Sequence, residues 1–310
     1  MPRLATTLLA LAVLALAPAA ASAAPRLDET VDLTGPPGQM TIGPDGDAWV
    51  LFNGAGGENL ARIKPNGKVK EYAPPDLVNP TGITKGPGGN LWATRNGGVV
   101  RIPVDDPESA VATDIGGMGA GQGITKGPQG KMWAASDDQL ISFEPNDPAG
   151  ANLDTIDGMS ARGIDEADGK LWIADFAGGD IVRAKPNGDF KRFNVGGTPQ
   201  QVADGPNDQV AYSNQGTDPQ TVGRIVNGDV KKTKDPNADP FGIELAGDGN
   251  WWIGQFNKPG KLGILSPSGN LRQFGDLPNN ALTRYLAAEG GVVYAGIENR
   301  DEVAIIKGVN

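Results

Sequence analysis

The side chains that most often carry acid–base and soft-metal chemistry are absent from this chain, which contains no histidine and no cysteine. That removes the commonest general base near neutral pH, thiolate nucleophiles and disulfides. There is also no Gly-x-Ser-x-Gly nucleophile elbow. Chemistry therefore falls to carboxylates, arginines, amides, hydroxyls and aromatic rings. Two series of such residues recur at fixed spacing. One stands just before a Gly-Ile pair or its counterpart: Gly38, Thr81, Gln122, Arg162, Gln200, Phe241 and Arg284. The other stands three residues after a tryptophan or at the matching position: Phe52, Arg95, Ser136, Asp175, Asn214, Gln255 and Ile297. Together they hold three arginines against one carboxylate. Fork-shaped donors, amides and phenylalanines suit a small molecule or a peptide end carrying an anionic group. Arg95 and Arg284 are the leading anion ligands. Arg162 shares a repeat with Asp175, so an internal ion pair is its competing reading.

Two more carboxylates, Asp165 and Glu244, occupy the position that Thr84 holds in its own repeat. Facing a channel, they would offer hard oxygens to magnesium or calcium. No cofactor is expected, and a magnesium or calcium ion near Asp165 and Glu244 is the alternative. Asp105-Asp106 with Glu108, and Asp137-Asp138, read as solvated acidic turns. The glycine-rich stretch 116–123 is no phosphate loop, because no helix start follows it.

The formal net charge is −10. A chain this acidic lacks the clustered Lys/Arg face that nucleic acid or anionic lipid requires. The first residues read as an export signal: Arg3, an apolar run over 4–17, then Ala21-Ser22-Ala23. That run is shorter than the ~20 residues a membrane-crossing helix needs. We expect a signal peptide over 1–23, cleavage before Ala24, and a single secreted or periplasmic domain over 24–310 that is monomeric.

The elements that position these residues come from an internal repeat. Gly82-Ile-Thr-Lys-Gly-Pro-Gly-Gly-Asn-Leu-Trp92 returns as Gly123-Ile-Thr-Lys-Gly-Pro-Gln-Gly-Lys-Met-Trp133. Looser copies end at Trp49, Trp172 and Trp252, and degenerate ones at Tyr212 and Tyr294. The period of roughly 40 residues is that of four-stranded propeller blades. Turn signals such as Pro65-Asn66-Gly67, Pro186-Asn187-Gly188 and Pro267-Ser268-Gly269 join short strands, and no amphipathic helix pattern intervenes. The predicted fold is all-β, a seven-bladed β-propeller with its tryptophans packed between blades. The last copy lacks an outer strand, which residues 27–33 can supply.

The repeat Gly-Ile-Thr-x-Gly-Pro-x-Gly-x-Leu-Trp, followed by Arg-Ile-x-Pro-x-Gly, resembles the streptogramin B (virginiamycin B) lyase family over the whole mature chain. The resemblance implies a seven-bladed propeller and a metal-dependent elimination that opens a cyclic depsipeptide by carbon–oxygen cleavage. Its catalytic blade carries Glu-Pro-His-Gly-Ile, with a further Glu beyond the Trp strand. Here the matching residues are Asp239-Pro240-Phe241-Gly242-Ile243 and Gln255, and Pro199-Gln200 stands where the family has another His. Neither Phe241 nor Gln200 can act as a base near neutral pH. The expected function is thus a non-catalytic binding protein for a small molecule or peptide. A divergent lyase using Asp239 or Glu244 and a protein-interaction platform are the alternatives. A calcium-dependent lactonase fits less well, since those have six blades.

Overall fold

The computed structural model describes residues 24–52, 59–217 and 219–310. The expected signal peptide lies outside them. Among the described residues are seven four-stranded antiparallel sheets, and helix is limited to four three-residue 3-10 turns. Six blades are continuous in sequence: 37–72, 82–114, 121–155, 161–194, 198–234 and 240–274. The seventh combines the strands Thr283–Glu289, Val292–Ile297 and Glu302–Lys307 with Arg26–Asp32 from the other end of the chain. Arg26 lies opposite Lys307 and Asp32 opposite Glu302, so the N-terminal strand closes the ring as expected. Closure leaves no unsealed junction between first and last blades.

Local sequence explains the hairpins. In Pro65-Asn66-Gly67 only the glycine takes a positive φ, 78°, and Lys64 N donates to Lys68 O at 3.0 Å. The three-residue loop needs a positive φ only at its last residue.

The core consists of layers between blades. Trp49, Trp92, Trp133 and Trp172 each pack with apolar residues of the following blade, as do Trp252 and Tyr294. The junction of blades 5 and 6 departs from this. After Gly205-Pro206 the residue aligned with Trp133 is Ala211, and Tyr212 lies one position beyond it. Trp251 of blade 6 reaches back and fills the slot. A Cβ on Gly205 would lie 2.0 Å from Trp251, as one on Gly127 would lie 2.3 Å from Trp133. The Trp251 indole donates to Asp204 O at 2.7 Å, and it is fully buried with Ala203, Ala211 and Val222.

Candidate functional site

Six of the seven inner strands carry a register irregularity at one level, as between Ala161 and Ile164 or between Pro240 and Ile243. The residues skipped by the pairing include Gln122, Arg162, Gln200, Phe241 and Arg284. A bulge frees a residue from the ladder and re-aims its side chain. Of these, Gln122, Arg162 and Phe241 line one cup, whereas Gln200 is buried and Arg284 lies against Glu298.

This cup has a volume of about 120 Å³. Its walls are Thr81, Gln122, Arg162, Phe241 and Tyr285, and Gln39 and Gln201 form its floor. Gln39, Gln201 and Tyr285 replace the glycine found at this position in blades 2, 3, 4 and 6. Glycine there lets neighbouring inner strands approach: a Cβ on Gly242 would come within 2.6 Å of Arg284 O. The three larger side chains narrow the channel instead. Gln39 Oε1 also accepts from Ile83 N at 3.0 Å.

The three rim arginines have different partners. Arg95 is ion-paired to Asp114 and donates to Asn96 O at 3.2 Å. Arg284 lies 2.7 Å from Glu298 Oε2, with its guanidinium over Phe241 at 5.0 Å and Phe256 at 4.4 Å. Both leading anion ligands therefore already face a carboxylate. Arg162 does not pair with Asp175, contrary to the competing reading. Asp175 is fully buried, paired to Arg192, and accepts from Ser160 N at 2.9 Å and Gly178 N at 3.0 Å. Arg162 stacks over Phe176 at 4.1 Å and donates to Gln200 Oε1 at 3.2 Å. Gln200 is itself anchored through Nε2 to Thr198 O at 2.7 Å. Among the described residues Arg162 has no carboxylate partner.

The positions matched to the lyase's catalytic blade are occupied by internal contacts. Phe241 is 7% exposed and meets Tyr285 edge-on, with 5.1 Å between ring centres. Gln255 is fully buried and donates to Asp235 at 2.5 Å, while Asp235 also pairs with Lys258. Asp239 exchanges hydrogen bonds with the Gln220 amide. The magnesium that the resemblance implies does not fit here. One position has no ligand atom, and the other two have their polar groups engaged within the protein.

Below the glutamine floor lies a chamber of about 220 Å³. Thr41, Thr84, Thr125, Asp165 and Glu244 line it, each directly opposite its own blade's tryptophan in the strand register. Sequence reasoning placed Asp165 and Glu244 in the channel, and the structure puts them in one cavity. Asp165 accepts from Glu166 N at 2.8 Å, Asp204 N at 2.9 Å and Thr125 Oγ1 at 3.4 Å. Burial outweighs these bonds and raises it to about 6. Burial, with the Asp165 charge, raises Glu244 to about 8. A vestibule of about 200 Å³ shares Thr41 and Glu244 with the chamber and adds Lys85 and Glu289, which lie 3.7 Å apart. Sequence reasoning missed Tyr285, Gln39 and Gln201; the signal was a large residue at a glycine position of the repeat.

Solved structures share this architecture. Virginiamycin B lyase from Staphylococcus aureus superposes with a TM-score of 0.78 at 19% identity, covering 92% of this chain and 99% of that one. A catalytically inactive His-to-Ala variant of that enzyme, with quinupristin, gives 0.79 at 19% identity over the same shares, 92% and 99%. The extracellular domain of a one-component system from B. thetaiotaomicron gives 0.69 at 13% identity, covering 91% of this chain and 40% of that one.

The fold is that of the streptogramin B lyases.

No family model matches the sequence, and no curated protein does. Identities this low carry the fold alone.

Proposed function

We propose that this propeller is exported and binds, without cleaving, a small molecule or peptide end that presents an anionic group to the cup around Arg162. The observation that carries the reading is Arg162 itself. Its guanidinium is held by Phe176 and Gln200, has no carboxylate partner among the described residues, and lines a cavity with Gln122 and Tyr285. A pre-positioned fork needs little further ordering to meet a carboxylate. The absence of an imidazole at the positions matched to the lyase's catalytic blade supports binding over catalysis. The lyase variant lacking one histidine is described as inactive, and this chain has no histidine at all.

The test is a thermal-shift screen of acidic metabolites and peptides on the mature chain, with calorimetry on hits. A charge-assisted bond contributes ~1.5–3 kcal/mol, so Arg162→Ala should weaken binding by about tenfold to a hundredfold. Arg162→Lys should recover only part, since an ammonium cannot make two parallel bonds. Hits that are all neutral or cationic, or unchanged affinity in Arg162→Ala, would overturn the reading. So would opening of a streptogramin B ring in excess magnesium that is lost in Asp239→Asn.

A further inference from the structure

The inner chamber has an uncommon composition for a propeller channel. Five of the seven inner strands place an oxygen-bearing side chain at one register level: hydroxyls of Thr41, Thr84 and Thr125, and carboxyls of Asp165 and Glu244. Ala203 and Ala287 occupy the corresponding places in blades 5 and 7. No lysine or arginine lines the chamber. Lys85 in the vestibule already lies beside Glu289, and Arg162 lines the cup on the other side of Gln39 and Gln201.

The two carboxyls differ in how they are satisfied. A carboxylate has about four acceptor sites. Two backbone amides and the Thr125 hydroxyl engage three of those on Asp165. Amide donors favour its ionised form. Glu244 makes no hydrogen bond or ion pair with any described residue, although it is only partly exposed and lines both the chamber and the vestibule. A carboxylate without protein donors, beside a second carboxylate, holds a proton near neutral pH and can exchange it for a metal cation. The threonine hydroxyls can point lone pairs at such a species. The volume holds an ion and several waters, each water taking ~30 Å³.

We propose that this ring binds one hard divalent cation, calcium or magnesium, with Glu244 as principal ligand, Asp165 as second carboxylate, and threonine hydroxyls and water completing an all-oxygen shell. No cluster of three or more carboxylate, histidine or cysteine ligands exists among the described residues. The site is therefore a partly hydrated one of moderate affinity, and its oxygen-only chemistry excludes preference for soft metals. It lies below the glutamine floor and is independent of the anion cup above.

The experiment uses the full mature chain stripped with EDTA. Calcium chloride and magnesium chloride are titrated separately by calorimetry and thermal shift, with potassium chloride at matched ionic strength. A saturable one-to-one isotherm is expected in at least one divalent arm, with a rise in Tm that potassium does not reproduce. Glu244→Gln and Asp165→Asn should each weaken binding at least tenfold. The stripped Glu244→Gln protein should melt no lower than stripped wild type at pH 9, which shows that it folds. Arg162→Ala should bind the cation as wild type does, so failure here and failure of the cup are separate results. At pH 7 binding should release protons, because the cation displaces the one on Glu244; at pH 9 it should not. Three results would overturn the site: no saturable divalent binding at millimolar concentration, equal affinity in Glu244→Gln, or an equal response to potassium.

Discussion

Blades 2 and 3 share Gly82–Trp92 and Gly123–Trp133 almost residue for residue, whereas blades 4 to 6 have an alanine at the tryptophan position, glutamine at a glycine position and carboxylates at a threonine position. The regular blades have mostly structural side chains: Trp92 and Trp133 are buried, and Thr81 and Thr94 bond each other and backbone. Blades 4 and 6, looser copies of the repeat, contain Arg162, Asp165, Phe241 and Glu244. In a repeat whose job is to pack against copies of itself, a departure must be compensated by a neighbour or be retained for another reason. Trp251 is compensation for Ala211. Nothing in the packing compensates for Glu244, and that difference separates a repaired scaffold from a site.

The scaffold side of this contrast can be broken most severely at the seventh blade. Deleting residues 27–33 removes the strand that pairs with Glu302–Lys307 and strips their backbone groups of partners. Val31 and Leu33 leave their cluster with Tyr294 and Ile305 at the same time. We expect a large fall in Tm with aggregation. An unchanged melt would show that the ring does not depend on its closing strand.

A smaller but sharper test compares one regular slot with the repaired one. Trp133→Ala should cost about 3–5 kcal/mol, the range for emptying a buried aromatic site. If Trp251 fills the equivalent slot, Trp251→Ala should cost the same. Ala211→Trp alone should destabilise by about 1–3 kcal/mol through overpacking. Combined with Trp251→Leu, the residue type that precedes the tryptophan in blade 2, it should recover much of that loss. Denaturant melts of the four variants decide it, and a near-neutral Trp251→Ala would end the equivalence.

The contrast also explains what the sequence disclosed. The forty-residue period, the turn glycines and the alternation of apolar residues are local signals, so ring, blade count and closing strand were all legible. The inner-strand position of Asp165 and Glu244 in the channel was legible too, but the series after the tryptophans was not, since its Asp175 and Gln255 are fully buried. Pairing between side chains was not. Asp114 and Glu298, which engage Arg95 and Arg284, lie 19 and 14 residues away in positions the repeat does not align. Arg192 lies on the outer strand Phe190–Asn194, 17 residues from the Asp175 it meets, and that pairing too has no counterpart in the repeat. Trp251 was hidden for a related reason: two adjacent tryptophans look like one signal until the empty place at Ala211 is seen.

The site side of the contrast is tested by pH on cation-free protein. Glu244 is raised to about 8 from an ordinary value of 4.5, so between these values the folded chain holds a proton that the unfolded chain has released. Stability must then fall as pH rises from about 5 to 8 and level off above it. Asp165, raised to about 6, adds a loss of the same sign at the lower end of this window. The charged groups lining the same channel are Asp165, Lys85 and Glu289, with Arg162 in the adjoining cup. Glu244→Gln should flatten the upper part of the profile and leave the variant the more stable protein at pH 9. A wild-type profile equally flat from 6 to 9 would mean that Glu244 is not held in a costly state.

The smallest effect concerns Arg95, and it separates two arginines of one rim. Asp114, its partner, is largely exposed, with 85% of its side chain accessible, while Arg95 is 21% accessible. A pair open to water on one side contributes about 0–1 kcal/mol, because solvent screens it and ordering two long side chains opposes it. Arg95→Ala should therefore leave the melt within about that range. Its effect on ligand binding should be equally slight, since the fork would have to abandon Asp114 before meeting an anion. Arg162 has no such prior partner, and its replacement should be felt in affinity far more than in stability. Measuring both variants against one ligand, by melt and by calorimetry, sets the two arginines side by side. If Arg95→Ala weakens binding as much as Arg162→Ala does, the rim acts as a unit and the assignment to the irregular blades fails, because Arg95 belongs to blade 2, among the most regular of the seven.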